Sequence, residues 1–123
     1  MILADTSVWI DHFRRGSSGF ARALEAGQVL IHPLVIGELA TGNLQRRAQT
    51  LAALHALPRA KEGTQEECFA YLEAHRLFGQ GLGWNDVQLL AAADLTHVPL
   101  WTSDQPLGRA AVKMGLLYET IRR

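Results

Sequence analysis

Four acidic residues stand where chain elements begin or end: Asp5 in ILADTSVWID, Glu38 in HPLVIGELATG, Asp86 in GWNDVQLLAAA and Asp104 in PLWTSD. Asp5 and Asp104 each follow a short apolar run that reads as a strand, and in an open α/β sheet ligands bind beyond the carboxyl ends of the strands. Both are therefore expected to face one crevice. With Glu38 and Asp86 beside them the crevice becomes an acidic pocket, and carboxylates a few ångströms apart do not all stay ionised without a cation. Hard oxygen ligands select Mg²⁺, Mn²⁺ or Ca²⁺, and Mg²⁺ typically combines a few protein carboxylates with substrate phosphates. The chemistry that follows is polarisation of a phosphodiester and delivery of a water for in-line attack.

Singly, each acid has an ordinary explanation. Asp5 precedes TSVWI and Asp104 precedes QPLGR, so both suit a helix N-cap, and Asp86 suits the positive end of a helix dipole. Glu38 is harder to explain that way, because it sits beside Val35, Ile36 and Leu39 and glutamate is rarely buried without a partner.

The elements that must position these acids alternate. Residues 2–4 read as a strand and 6–15 as a helix, with Val8, Trp9, His12 and Phe13 on one face; Gly16 ends it. Ser17 or Ser18 caps a second helix to Ala26, with Gly27 as its left-handed stop, and residues 28–32 form the second strand. Pro33 suits the first position of a short helix, 33–41, that carries Glu38. Asn43 is expected to cap the next helix, which runs to Leu57 before Pro58 breaks it, and residues 58–63 form a loop or a weak edge strand. Thr64 and Glu67 have capping-box spacing and open a helix to about Phe78, followed by a glycine-rich connection. Asn85 is expected to cap the helix that holds Asp86; residues 98–102 follow as a strand, 105–114 as a helix and 116–118 as an edge strand. Short apolar strands between helices imply a parallel sheet covered by helices, in one domain spanning 1–123.

Composition sets the class. With 48% apolar and 20% charged residues the chain is globular, and Cys68, having no second thiol, is expected to be a buried structural group in a reducing, cytoplasmic setting. Neither a secretory leader nor a membrane span is expected. Twelve basic residues balance twelve acidic ones, yet without the four pocket acids the balance is twelve against eight, so a polyanionic substrate stays open.

Asp5-Thr6-Ser7 after the first strand, Glu38 on a short helix, Asp86 opening a helix, and Thr102 with Asp104 after a later strand together resemble the PIN domain, most closely the toxin ribonucleases of the VapC type. The resemblance covers the whole chain and implies a central parallel sheet of order 3-2-1-4-5. It also implies Mg²⁺- or Mn²⁺-dependent endoribonuclease activity toward RNA, a homodimer, and inhibition by a VapB-type antitoxin. By position it makes Asp5, Glu38, Asp86 and Asp104 the catalytic and metal-binding residues, with Thr102 and Thr6 in support.

Other residues carry less. The five histidines form no His-x₃-His pair and have no cysteine partners, which disfavours zinc, and Trp9 and Trp101 fall on core positions. Trp84 adjoins Asp86 and is the tryptophan placed for base stacking, while Arg14, Arg15 and Arg109 are candidates for phosphate contacts. Asp94, near the wrong end of its helix for the dipole, needs an arginine or a backbone donor. Two competing readings are a receiver-like signalling module and an inactive PIN interaction domain. The first needs an acceptor Asp after the middle strand and a Lys after the last, and QVLIHP and LLYET supply neither. The second is opposed by four intact carboxylates.

Overall fold

Parallel pairing on both sides of one short strand organises the chain. In the computed structural model, which describes residues 1–119, β1 (Ile2–Ala4) lies between β2 (Val29–Leu30) and β3 (Leu100–Trp101). Ile2 pairs with Val29 and Leu3 with Leu30 on one side, and Leu3 with Leu100 and Ala4 with Trp101 on the other. Parallel neighbours require crossover connections. Helices α1 (Thr6–Arg15) and α2 (Ser18–Glu25) connect β1 to β2. Between β2 and β3 run α3 (Pro33–Ala40), α4 (Arg47–Ala56), α5 (Gln65–Ala74) and α6 (Trp84–Thr96), and α7 (Gln105–Lys113) follows β3.

The expected order 3-2-1-4-5 is present with its outer members reduced to single bridges, Ile31 to Arg59 and Leu100 to Leu117. Pro58 explains the first reduction: it has no N–H for a ladder, so this edge makes only the bonds from Ile31 N–H to the Pro58 carbonyl and from Ala60 N–H to the Ile31 carbonyl. The chain runs outward from β1 to β2 and then returns to β3 on β1's other side. The sheet's switch point therefore lies between β1 and β3, the place where such sheets open a ligand crevice.

The three strands are almost wholly buried, and Phe20 holds the aromatic core, edge-on to Trp9 at 4.7 Å and to Trp101 at 5.4 Å between ring centres. Cys68 is buried, as expected, and burial pushes its thiol pKa up, away from nucleophilic use. Several boundaries differ from the sequence expectation. Helix α4 begins at Arg47, because Arg46 adopts a left-handed conformation (φ 48°) and no side chain caps the helix, so Asn43 is not its cap. Helix α5, opened by the Thr64–Glu67 capping box, ends at Ala74, and left-handed Arg76 (φ 52°) prevents its continuation to Phe78. Asp94 takes its hydrogen bond from the Tyr71 hydroxyl at 3.0 Å, a side-chain partner from α5 in place of the expected arginine or backbone donor. Among the described residues no helix is long and apolar enough to cross a membrane.

Candidate active site

Asp5 is the buried centre of the crevice, only 5% exposed. It leaves β1 and caps α1, with Oδ1 accepting from the Val8 N–H at 3.3 Å and the Ser7 hydroxyl at 2.5 Å. Its Oδ2 accepts from the Thr102 hydroxyl at 2.5 Å. Burial pushes the Asp5 carboxyl above its ordinary pKa, and the bonds from Ser7, Thr102 and Val8 pull the other way.

The segment after β3 is tied to the same group. The Asp104 N–H donates to Thr102 Oγ1 (3.0 Å), and the Ser103 N–H donates to Ser7 Oγ (2.9 Å), so both hydroxyls relay a backbone donor onto Asp5. Asp104 itself caps α7 through the Leu107 N–H at 3.0 Å. These two residues thus cap helices and line one crevice at the same time, because the switch point puts the start of a helix beyond each strand.

Asp86 and Glu38 come from helices. Gly83, not Asn85, occupies the position before α6, and Asp86 accepts its N–H at 2.8 Å. Asn85 falls inside the first turn because the helix starts two residues earlier than an Asn85 cap would allow, at Trp84. Burial first, and then the charges of Asp104 and Glu38, raise the Asp86 pKa, an electrostatic sign that the acids sense one another. Glu38 is exposed on α3 and accepts from the Thr6 hydroxyl at 2.8 Å, so it is not the buried glutamate its apolar neighbours suggest.

Asp5, Glu38, Asp86 and Asp104 line one cavity of about 160 Å³ together with Thr6, Ser7 and Leu89. No lysine, arginine or histidine lines it, and Glu38, Asp86 and Asp104 each keep one carboxylate oxygen without a partner among the described residues. An all-oxygen, anionic donor set of this kind fits a hard divalent cation and is poorly suited to zinc. The side chains are nevertheless not drawn in around a point: among the described residues no three His, Cys, Asp or Glu side chains are gathered as an ion would hold them. Each acid instead turns toward its own hydrogen-bond donor.

The remaining candidates lie outside this cavity. Trp84 is half-buried, donates its indole N–H to Gln65 Oε1 (3.1 Å) and has its ring 5.1 Å from that of Phe69. Arg14, Arg15 and Arg109 are exposed, and Arg15 reaches Asp11 at 3.3 Å. Arg14 and Arg15 end α1, about 15 Å along the helix from Asp5. Ser7 and Ser103 are the positioning residues that the sequence did not single out for a role. The available signal was a serine two places after a capping aspartate, a spacing that lets its hydroxyl return to the carboxylate.

The chain matches the family model for the PIN domain over residues 2–113. It is also 38% identical over 117 residues to Ribonuclease VapC32 of Mycobacterium tuberculosis, in strain H37Rv and in strain CDC 1551 alike, covering 94% of each chain.

Proposed function

The chain belongs to the PIN domain family, and from that membership we propose that it is a metal-dependent endoribonuclease, the toxin of a toxin–antitoxin pair. The observation that carries this reading is the cavity lined by four carboxylates from four separate elements, with no cationic side chain among the described residues that line it. An RNA phosphate is repelled by that cavity unless its charge is offset, which is why the reading includes a divalent ion.

Asp5, Glu38, Asp86 and Asp104 would hold Mg²⁺ or Mn²⁺, and the bound ion supplies Lewis acidity toward a phosphodiester and toward water. Asp5 is the fixed point. Its two oxygens are aimed by Ser7 and Thr102, so its orientation is set before any substrate arrives. Thr6 restrains Glu38, the Gly83 N–H restrains Asp86, and the Leu107 N–H restrains Asp104, each leaving one oxygen available. Arg14, Arg15 and Arg109 serve phosphates farther along the RNA, and Trp84 offers an aromatic surface near the start of α6.

The same reading includes a cytoplasmic homodimer and a VapB-type antitoxin. A guanidinium from the antitoxin's tail pairs bidentately with carboxylates and so competes with the ion. Leu39 of α3 and Leu54 of α4 are buried within the subunit, which leaves half-buried Leu44 and Leu51 as apolar side chains for the dimer surface.

The test is an assay on a panel of RNAs with EDTA, Mg²⁺ or Mn²⁺, beside Asp5→Asn. Cleavage that needs the ion and disappears in the variant supports the reading; ion-independent cleavage retained by Asp5→Asn sinks it. Light scattering that finds only monomer at micromolar concentration would remove the dimer.

A further inference from the structure

A second, larger cavity of about 590 Å³ adjoins the acidic one and shares Glu38 with it. Its volume falls within the range of ligand clefts, roughly 300–1,000 Å³. His32, Leu34, Gly37, Asn85 and Gln88 are among the residues that line it. Two of its donors are fixed by their surroundings. The Trp84 indole can only donate, so Gln65 must present its oxygen there, and the Gln65 amide then donates to Gln88 Oε1 at 2.9 Å. That relay determines which end of Gln88 is which and leaves its NH₂ group without a partner among the described residues. His32 is 4% exposed, and its Nδ1 accepts the Leu34 N–H at 3.0 Å, so in the neutral ring the proton sits on Nε2. The Trp9 Nε1 is the one fully enclosed polar side-chain atom without a partner among the described residues, so the unpartnered nitrogens of Gln88 and His32 keep some solvent access, and both residues line the cavity.

Gly37 points the same way. It lies inside α3, where glycine is destabilising relative to alanine, yet it has no left-handed backbone and nothing lies within 4 Å of where a Cβ would stand. Neither conformation nor close packing requires a glycine there. What its missing side chain leaves is open space on the cavity wall, one residue from Glu38.

We propose that this cavity is a nucleobase subsite that receives the base next to the scissile phosphate and prefers guanine, with the Gln88 NH₂ and the His32 Nε2–H as donors. Guanine is the base that presents two adjacent acceptors, O6 and N7, on one edge. Bases of single-stranded RNA are read when splayed out and bonded along such edges. The assignment rests on the ribonuclease reading for its substrate class, and its test is chosen to fail separately.

The four nucleoside 5′-monophosphates are titrated with Mg²⁺ present while the Gln88 side-chain amide and Gly37 backbone amide are followed by NMR. Guanosine monophosphate is expected to shift both signals at the lowest concentration. Gly37→Leu, which adds a good helix former at an exposed position, is expected to keep the helical circular-dichroism signal and to abolish the shift at Gln88. In cleavage assays, Gln88→Leu is expected to reduce the preference for a guanine-containing site over the same RNA with adenine there by about tenfold. Equal shifts for all four nucleotides, or none at Gln88, would overturn the subsite. Guanosine-specific shifts in a protein that cuts no RNA would support it while removing the ribonuclease.

Discussion

The two halves of the acidic cavity are built differently. Asp5 and Asp104 follow strands β1 and β3 and are wired together through Thr102, with Ser7 and Ser103 closing a second link between the same segments. Glu38 and Asp86 come from α3 and α6, and each accepts a single hydrogen bond from a neighbour. The strand half is as rigid as the sheet that carries it, because its bonds cross between elements almost a hundred residues apart in sequence. The helix half is held by one hydrogen bond to each carboxylate. In the proposed cation site the strand half would be the preset wall and the helix half the one left to adjust, in keeping with four acids that share a cavity without being drawn in around a centre.

The largest expected effect comes from the preset wall. Asp5→Asn should lower cleavage by about a thousandfold, the scale seen when one charge-stabilising group leaves an active site. Asparagine still serves as an N-cap, so circular dichroism should stay native. Normal cleavage by this variant would dissolve the contrast between the halves.

Next in size is a matched pair of hydroxyl removals. Thr102→Val takes away the bond to a buried carboxylate, and it should cost about 1–3 kcal/mol in urea unfolding and reduce activity by roughly 10- to 100-fold. Thr6→Val removes a bond at the exposed Glu38, and its cost should be within about 0.5 kcal/mol. Equal losses for both variants would mean the helix half is as rigid as the strand half.

The metal-free protein should also respond to pH. Asp5 and Asp86 both have folded-state pKa values raised above the ordinary 3.8. The folded state therefore binds more protons at these sites than the unfolded chain, and their stabilising contribution is full below pH 3.8 and lost as pH rises through the raised values. Relative to Asp5→Asn, the wild type in EDTA should lose melting temperature over that rise, and Mg²⁺ should restore it by binding the folded state. Parallel melting curves for the two proteins across that range would contradict a raised Asp5 pKa.

The smallest effect on stability belongs to the helix half. Asp86→Asn relieves repulsion from Asp104 and Glu38 and should raise the melting temperature in EDTA by about 2 °C while removing activity. A fall of several degrees would show that its bond to Gly83 outweighs the repulsion.

Local chemistry made much of this protein legible in its sequence. Helices α1, α2, α3 and α7 follow from Asp5, Ser17, Pro33 and Asp104 at their starts, since a cap or a proline acts within three or four residues of itself. Asp5, Asp86 and Asp104 could be picked out because each lies at a helix start, and Glu38, inside α3, because of its apolar neighbours. Where tertiary contacts outweighed local preference, the sequence was less informative: left-handed Arg46 delays α4 past Asn43, and the outer strands shrink to bridges at Arg59 and Leu117. That Asp94 bonds Tyr71, that Ser7 and Thr102 both aim Asp5, and that Trp84 serves Gln65 were decided only when distant segments met. Sequence spacing determines which side chains share a helix face or a strand end, because helix and strand periods are fixed by the backbone. Which of them touch across the fold depends on how the helices settle on the sheet, and only the tertiary structure decides that.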